Sequence, residues 1–359
     1  MKEIKLSTHH HHIKTKVYFV TDSELIDIFS DMQYTIIVDR TVMELHPSIF
    51  AQFADRLVVI EPEHKKDIRM FTEVCEQLIS HKVKKNFHLI GVGGGLISDL
   101  VGFVASVYMR GVSVSFVPTT VLGMVDASIG GKNALNFGTI KNIVGTIHHP
   151  ENVYLHLNFL KTLPHSEFMS GMAEVAKTAF LFDYELVHDT LLFLNKFNIN
   201  AINIMKLTTI ITESITHKMA IVNNDVYDNS ERNLLNFGHT IGHLLELEYG
   251  LMHGFAVAQG MVLETQLAMI LELTDGSVYN RVRRILGKYF LTDMQDFDLK
   301  KIIDKIVYDK KANGDTILLP VIDDIGSSHL YEVKLVEFYR LINARPPKLP
   351  PEPEPELTD

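Results

Sequence analysis

The apolar residues of this chain change their pattern near residue 164, and that change constrains the fold more than any other feature. In the first part, short apolar runs alternate with stretches of helical spacing. The apolar runs lie at residues 34–38, 57–60, 87–92 and 112–117, and the helical stretches at 67–81 and 98–108. Strands that alternate with helices predict a mostly parallel sheet with helices on its faces, which is a Rossmann-like α/β domain.

The rest of the chain is predicted to be helical, because its apolar residues recur at spacings of three and four. These stretches lie at residues 167–180, 202–222, 234–249 and 256–273, and a late apolar run at 317–322 fits a small strand. A chain of 359 residues exceeds the usual size of one domain. We therefore expect an α/β domain over residues 1–163 and an all-helical domain over 164–345. A cleft between two unlike domains is the default place for a ligand.

Composition excludes several classes of protein. A formal charge of -10 argues against nucleic-acid binding, and the sequence has no run of about eighteen apolar residues that could span a membrane. We therefore expect a cytoplasmic protein without nucleic-acid or membrane partners. The single cysteine, Cys75, excludes an internal disulfide, so a metal would need His and carboxylate ligands. Residues 9–12 are four histidines, which are typical of a solvated tract or a tag remnant, and the Pro- and Glu-rich tail at 346–359 is predicted to be disordered.

A glycine-rich turn follows the third predicted strand. Gly91, Gly93, Gly94 and Gly95 lead into a helical stretch, so backbone amides at a helix N-terminus could approach a pyrophosphate. Leu96 stands where the G-x-G-x-x-G pattern has its third glycine, and a turn that only allows tight packing is the alternative. Asp39, after the first strand, could bind a cofactor ribose or cap a turn.

The helical half contains a candidate metal site. His239 and His243 are four residues apart and project from one helix face, His253 follows a short polar break, and Glu174 lies on another predicted helix. Two His and one carboxylate that leave positions open for substrate form a catalytic zinc arrangement. Thr240 replaces the glutamate of the zincin pattern H-E-x-x-H, which argues against a metalloprotease. The alternative is that these histidines are hydrogen-bonded core residues.

Several basic residues stand beside Gly, Thr, Asp or Asn in segments that are otherwise poor in charge. They are Arg110, Lys132, Lys141, Lys177, Lys218 and Arg232. Burial of such residues is costly without an anionic partner, so as a group they predict a ligand with a phosphate and a carboxylate. Each one alone is also typical of a solvated or ion-paired surface residue. Residues 118–120 and 125–133 have the composition of a ligand-binding loop rather than of a strand or helix.

These segments together resemble the 3-dehydroquinate synthase family over roughly residues 87–260. The matching motifs are GGGLISDL (93–100), YMRG (108–111), VPTT (117–120), DASIGGK (126–132), KN (141–142), AEVAK (173–177), LNFGHTIGH (235–243) and HG (253–254). The resemblance implies a dehydroquinate synthase-like fold with an NAD-binding α/β domain and a helical domain that carries zinc or cobalt. It also implies an active site between the domains and a homodimer.

The resemblance assigns roles position by position. The implied metal ligands are Glu174, His239 and His253, so His243 moves from the metal to contact with substrate or phosphate. The implied catalytic and substrate-binding residues are Arg110, Asp126, Lys132, Asn142, Lys177, Lys218, Arg232, Asn236 and His243, joined by Lys310 or Lys311. The implied NAD contacts are Asp39, Glu63, Lys66, Gly94, Gly95, Asp99, Thr119, Thr120 and Lys141.

The implied reaction is the ring closure of 3-deoxy-D-arabino-heptulosonate 7-phosphate to 3-dehydroquinate, a step of the shikimate pathway to aromatic amino acids. Transient oxidation by NAD, with zinc polarising the oxidised oxygen, would permit β-elimination of phosphate. Re-reduction and an intramolecular aldol step would then close the ring. The alternatives are a related cyclase such as 2-deoxy-scyllo-inosose synthase, a metal-dependent alcohol or glycerol phosphate dehydrogenase, and a non-catalytic paralogue.

Two places depart from the family pattern. Phe255 stands where the family has a glutamate after His253 and Gly254, and the loss of a carboxylate beside a metal ligand predicts weaker metal binding. In the stretch 225–232, only Asp225 and Arg232 are retained from an acidic family motif. This departure predicts a change in substrate specificity or in activity.

Overall fold

The structure is a computed structural model that describes residues 2–5, 15–61, 66–138, 140–291 and 316–342. The chain forms two compact units, Met1–Met172 with Lys196–Tyr227, and Ala173–Asn195 with Asp228–Asp359. The domain boundary expected after residue 163 stays a prediction. Glu63, Lys310, Lys311, the histidines at 9–12 and the tail at 346–359 lie outside the described residues.

The secondary structure of the described residues alternates strands with helices in the first half of the chain. The strands are β1 (Lys2–Lys5), β2 (Lys16–Phe19), β3 (Tyr34–Asp39), β4 (Leu57–Ile60), β5 (His88–Gly93), β6 (Ser113–Pro118), β7 (Lys132–Phe137), β8 (Ile140–Ile147), β9 (Asn152–Leu155), β10 (Thr316–Asp324) and β11 (Ser327–Lys334). The helices are α1 (Asp22–Phe29), α2 (Arg40–Leu45), α3 (Pro47–Phe50), α4 (Ile68–Ser80), α5 (Gly95–Val107), α6 (His165–Phe182), α7 (Tyr184–Asn195), α8 (Ile204–Asn224), α9 (His239–Tyr249), α10 (His253–Ile270), α11 (Gly276–Tyr289) and α12 (Leu335–Ile342).

The first unit is built on a seven-stranded sheet in the order β1-β2-β9-β6-β5-β3-β4. Its strands pair in parallel except β1, which runs antiparallel to β2. Ile37 of β3 joins a core that includes residues of α4 and α5, whereas Ile36 and Val38 join a core that includes residues of α1 and α3. Successive residues are buried on opposite faces, which explains why these strands are continuously apolar. The predicted parallel sheet and its four predicted strands are confirmed.

The loop predicted at residues 118–120 and 125–133 contains regular structure at two places, whereas residues 119–120 and 128–131 are in neither a helix nor a strand. A single wide π-helical turn spans Gly123–Ala127 and is closed by the Ser128 amide, which donates to the Gly123 carbonyl over 3.1 Å. Lys132 then begins β7, which pairs with β8 in a separate hairpin. Small and polar residues suggested a loop, but Asn133 is buried and donates to the Gly131 carbonyl over 2.7 Å, which fixes the start of the strand.

The second unit consists mainly of helices, as predicted, together with a hairpin of β10 and β11. The apolar run at 317–322 lies in β10, but β11 was not predicted because most of its residues are exposed or half-buried. The predicted helix over 234–249 is wrong at its start, since Glu231–Asn236 form a 3-10 turn and α9 begins only at His239. In the described part of the chain, no helix is both long enough and apolar enough to cross a membrane.

Candidate functional site

The first residues of α9 and α10 are histidines that lie side by side in the second unit. α9 begins at His239 because Gly238 takes a φ of 77°, a left-handed conformation that suits glycine. The two helices cross closely, since a Cβ on Gly260 would lie only 1.9 Å from the Gly238 carbonyl oxygen. The imidazole of His239 is therefore 5.4 Å, centre to centre, from that of His253 at the start of α10.

A buried carboxylate on α10 fixes the start of α9. Glu264 is fully buried and accepts hydrogen bonds from the backbone amides of Gly238 at 2.8 Å and Ile241 at 3.1 Å. These amides are among the donors that a helix N-terminus leaves without partners, and the helix dipole favours a negative charge there. The sequence contained no signal for this contact, because Glu264 is remote along the chain from the turn that it binds.

Glu174 of α6 completes a group of possible metal ligands. Its Oε1 atom lies 3.5 Å from His239 Nε2 and 3.3 Å from His253 Nε2. One ligand atom from each of the three residues lies within 4.8 Å of the others. Glu174 is 1% exposed, and neither carboxylate oxygen has a hydrogen-bond partner of acceptable geometry among the described residues. Two imidazole nitrogens and a buried carboxylate are a donor set that fits a divalent transition metal.

Charges around this group favour a cation and a neutral imidazole. Burial would raise the pKa of Glu174, but the Lys177 ammonium, 2.5 Å from Oε2, holds it well below the usual range. Burial lowers the pKa of His239 to about 3, so this ring is neutral and able to bind a metal. Burial would also lower the pKa of His253, but the neighbouring carboxylates of Glu174 and Glu246 raise it to about 10. Two carboxylates that face one imidazole thus create a place that attracts positive charge.

The sequence analysis did not identify Glu246, which lies on α9 with its Oε2 atom 3.4 Å from His253 Nδ1. Its spacing of three residues from His243 was the available signal, because residues three apart share a helix face. His243 itself is exposed, and its ring centre is 5.0 Å from that of His239. His243, Glu246 and His253 form a second group whose donor atoms lie within 4.8 Å of one another.

The glycine turn of the first unit lies between β5 and α5. Gly94 is the N-cap of α5, and Gly95 is its first residue. Thr119 donates its amide to the Gly93 carbonyl over 2.9 Å, and a Cβ on Gly94 would lie 3.3 Å from Thr120 Cγ2. The predicted threonines therefore lie next to the predicted glycines. A thirteen-residue helix that begins directly after two glycines fits the phosphates of a dinucleotide.

A polar cluster beside this turn unites three of the residues assigned to NAD or substrate. The Lys66 ammonium pairs with the Asp99 carboxylate and donates to Asn142 Oδ1 over 2.6 Å. Burial raises the pKa of Asp99, although Lys66 favours its charged form. Asp99, Asn142 and Lys132 line a cleft of about 480 Å³ beside β7 and β8. The cleft is lined by a carboxylate, an ammonium group and side-chain amides, which suit a polar ligand.

Asp126 and Lys218, predicted as substrate residues, form a pair within the first unit. Lys218 on α8 is buried, and its ammonium donates to Asp126 Oδ1 over 2.5 Å and to the Asp126 carbonyl over 2.7 Å. The Asp39 side chain accepts from the Val42 amide over 3.3 Å as the N-cap of α2, so the capping alternative is confirmed. Its contact with a ribose stays a prediction.

The remaining predicted residues occupy varied positions. Arg110 is exposed in a left-handed turn with a φ of 65°, and Lys141 is exposed on β8. Arg232 is 2% exposed within the 3-10 turn before α9, and the Asn236 side-chain amide donates to Asn233 Oδ1 over 3.3 Å. Their roles, like those of the other site residues, stay predictions.

Two solved structures share the fold of this chain. The fold is that of a solved 2-deoxy-scyllo-inosose synthase in complex with carbaglucose-6-phosphate, NAD+ and Co2+, with a TM-score of 0.78, 21% identity, and coverage of 95% of this chain and 99% of that one. A 2-epi-5-epi-valiolone synthase from Streptomyces hygroscopicus, solved with NAD+ and Zn2+, gives a TM-score of 0.77 at 22% identity and covers 94% of this chain and 97% of that one. The protein thus has the fold of the sugar-phosphate cyclases.

Sequence comparison narrows this class to one family. Residues 56–170 match the family model of the 3-dehydroquinate synthase N-terminal region, and residues 171–312 match that of its C-terminal region. The 3-dehydroquinate synthase of Sulfurisphaera tokodaii is 37% identical over 311 residues, which cover 84% of this chain and 87% of that protein. The chain belongs to the 3-dehydroquinate synthase family. The family and the function that the sequence predicted are thereby confirmed.

Proposed function

We propose that this protein carries out the synthase reaction with NAD and one divalent metal, zinc or cobalt, on 3-deoxy-D-arabino-heptulosonate 7-phosphate. The observation that carries the proposal is the buried Glu174 carboxylate, whose Oε1 atom faces two imidazole nitrogens while its Oε2 atom lies 2.5 Å from the Lys177 ammonium. Burial of a carboxylate is costly without positive groups beside it; Lys177 provides one at Oε2, and a metal held with His239 and His253 would provide another at Oε1. NAD+ with Co2+ or Zn2+ in the two solved cyclases supports the same cofactors here.

Each cofactor would be held by residues of one unit. The backbone amides of Gly94 and Gly95 would bind the pyrophosphate at the start of α5, with Asp39, Glu63, Lys66, Asp99, Thr119, Thr120 and Lys141 as further NAD contacts. Glu174, His239 and His253 would hold the metal. When bound, NAD supplies a reversible hydride transfer, and the metal polarises a substrate oxygen.

The other predicted residues would bind and orient the substrate. The positive charges of Arg110, Lys132, Lys177, Lys218 and Arg232 suit the phosphate and the carboxylate, and Asp126, Asn142, Asn236 and His243 would bind hydroxyl groups or the phosphate. The pair of Lys218 and Asp126 holds the ammonium in one position before a ligand binds. Fixing the substrate in one conformer favours the correct ring closure over others.

Phosphate release tests the proposal directly. Purified full-length protein is dialysed against a chelator and then supplied with NAD and either heptulosonate 7-phosphate or glucose 6-phosphate. We expect phosphate release only with the heptulosonate, its loss after chelation, and its return with zinc. Release from glucose 6-phosphate alone would assign the protein to another cyclase, and accumulation of NADH during turnover would indicate a dehydrogenase. Phosphate release that is absent with zinc and NAD would favour the non-catalytic paralogue.

The proposal extends to a homodimer in the cytoplasm, as the family resemblance implies. Sedimentation equilibrium of the purified protein tests the dimer, and a mass that equals one chain at all concentrations would contradict it.

A further inference from the structure

The two ring nitrogens of His253 face different carboxylates. Nε2 lies 3.3 Å from Glu174 Oε1, and Nδ1 lies 3.4 Å from Glu246 Oε2. A neutral imidazole offers one nitrogen as a metal ligand and carries its proton on the other. Because Nε2 shares Glu174 with His239, the metal belongs on that side, and the Nδ1–H group then points towards Glu246.

The crossing of α9 and α10 explains why Glu246 reaches His253. A Cβ on Gly242 would lie 2.8 Å from the Ala256 carbonyl oxygen, so the backbones approach each other closely at this level. Glu246 lies one helical turn after Gly242, and His253 lies about one turn before Ala256 on the helix that follows. The two side chains therefore meet at the next level of the same crossing, where the Glu246 side chain is only 17% exposed.

We propose that Glu246 is a positioning residue of the metal centre, which accepts the Nδ1–H of His253 and thereby aims its Nε2 lone pair at the ion held with Glu174 and His239. A carboxylate behind a metal-bound imidazole fixes its tautomer and ring orientation and makes the nitrogen more basic. The inference rests on the proposed function, because it concerns the metal of that reaction. It also bears on Phe255, since Glu246 provides a carboxylate next to His253 although the position after Gly254 lacks one.

A different arrangement would make Glu246 a metal ligand together with His243 and His253, whose donor atoms also lie within 4.8 Å of one another. Burial favours the first arrangement. Glu174 is 1% exposed and its Oε1 atom faces the Nε2 atoms of both His239 and His253, whereas His243 is exposed. The more buried donor group is therefore the one that contains Glu174, and Glu246 contacts the His253 imidazole from behind.

Zinc affinities of four variants distinguish these arrangements. The metal-free full-length protein competes with a chromophoric chelator for Zn²⁺, and its Co²⁺ complex is examined by absorption spectroscopy. We expect Glu246→Ala to weaken zinc binding about 10- to 100-fold and to shift the cobalt spectrum. Glu246→Gln should lose less affinity, because its amide oxygen still accepts the Nδ1–H. Glu174→Ala should abolish binding, and Glu248→Ala, a change two residues along α9 and outside both donor groups, should leave it unchanged.

Several outcomes would overturn the inference. Wild-type zinc affinity in Glu246→Ala would show that the contact does not support the metal. Abolished binding in Glu246→Ala with retained binding in Glu174→Ala would make Glu246 a ligand. If Glu246→Ala loses its helical circular dichroism without metal, Glu246→Gln decides: weaker binding in a folded protein supports the inference, and unchanged binding refutes it. A wild-type protein that binds no zinc would instead refute the proposed function.

Discussion

Replacement of Gly260 by alanine should separate α9 from α10 and loosen the metal site. The new Cβ would lie 1.9 Å from the Gly238 carbonyl oxygen and 2.8 Å from the Gly242 amide nitrogen. For the new Cβ to lie even 3.0 Å from that oxygen, the two helix backbones must move apart by about 1.1 Å. Such overpacking typically costs about 1–3 kcal/mol. His239 follows Gly238 directly, so the displacement should also disturb this ligand and weaken zinc binding by roughly tenfold or more.

Gly287→Ala is the matched control for this prediction. Gly287 lies in α11, and a Cβ there would have no heavy atom within 4 Å. Alanine is the better helix former, so this change should stabilise the protein by about 0.5–1 kcal/mol and leave the zinc affinity unchanged. Urea unfolding of the metal-free proteins and chelator competition measure both effects. If Gly260→Ala unfolds at the wild-type urea concentration and binds zinc equally well, the argument from close helix approach is refuted.

Two further predictions concern the nucleotide turn and the pH dependence of metal binding. Gly93→Ala would bring a Cβ within 2.4 Å of Ile97 Cγ1 in the first turn of α5. Calorimetry should therefore show NAD binding weakened by roughly tenfold, with zinc affinity unchanged. An NAD affinity equal to that of the wild type would contradict this prediction. Because the pKa of His253 is raised to about 10 and that of His239 is lowered to about 3, zinc should displace about one proton, from His253, near neutral pH. Zinc affinity should therefore rise about tenfold per pH unit between roughly pH 6 and 8, and a flat profile would contradict this.

The parallel sheet could be predicted from the sequence because its strands are continuously apolar and bounded by polar residues. Four of its seven strands and most of the long helices left such a local pattern, and the structure confirms these to within a few residues, whereas β2, β9, α7 and α11 were not predicted. The start of α9 shows where local patterns fail. Apolar spacing continued the helix back to residue 234, but the left-handed φ of Gly238 and the carboxylate of Glu264 place its first residue at His239. Neither cause can be deduced from spacing, since one is a backbone angle and the other a distant contact.

At the candidate metal site, the sequence likewise indicated the types of residue involved but not which of them lie together. Spacing indicated His239 and His243 as partners, whereas the structure places Glu174 between the Nε2 atoms of His239 and His253. Histidine at a helix N-terminus is disfavoured in its protonated form, because the helix dipole opposes added positive charge there. A metal ion differs from a proton, because it binds an imidazole lone pair and its charge lies next to the buried carboxylate. Burial and the helix start disfavour a proton on His239, whereas Glu174 and Glu246 favour positive charge beside His253, and a divalent ion bound to both imidazole lone pairs satisfies both conditions at once.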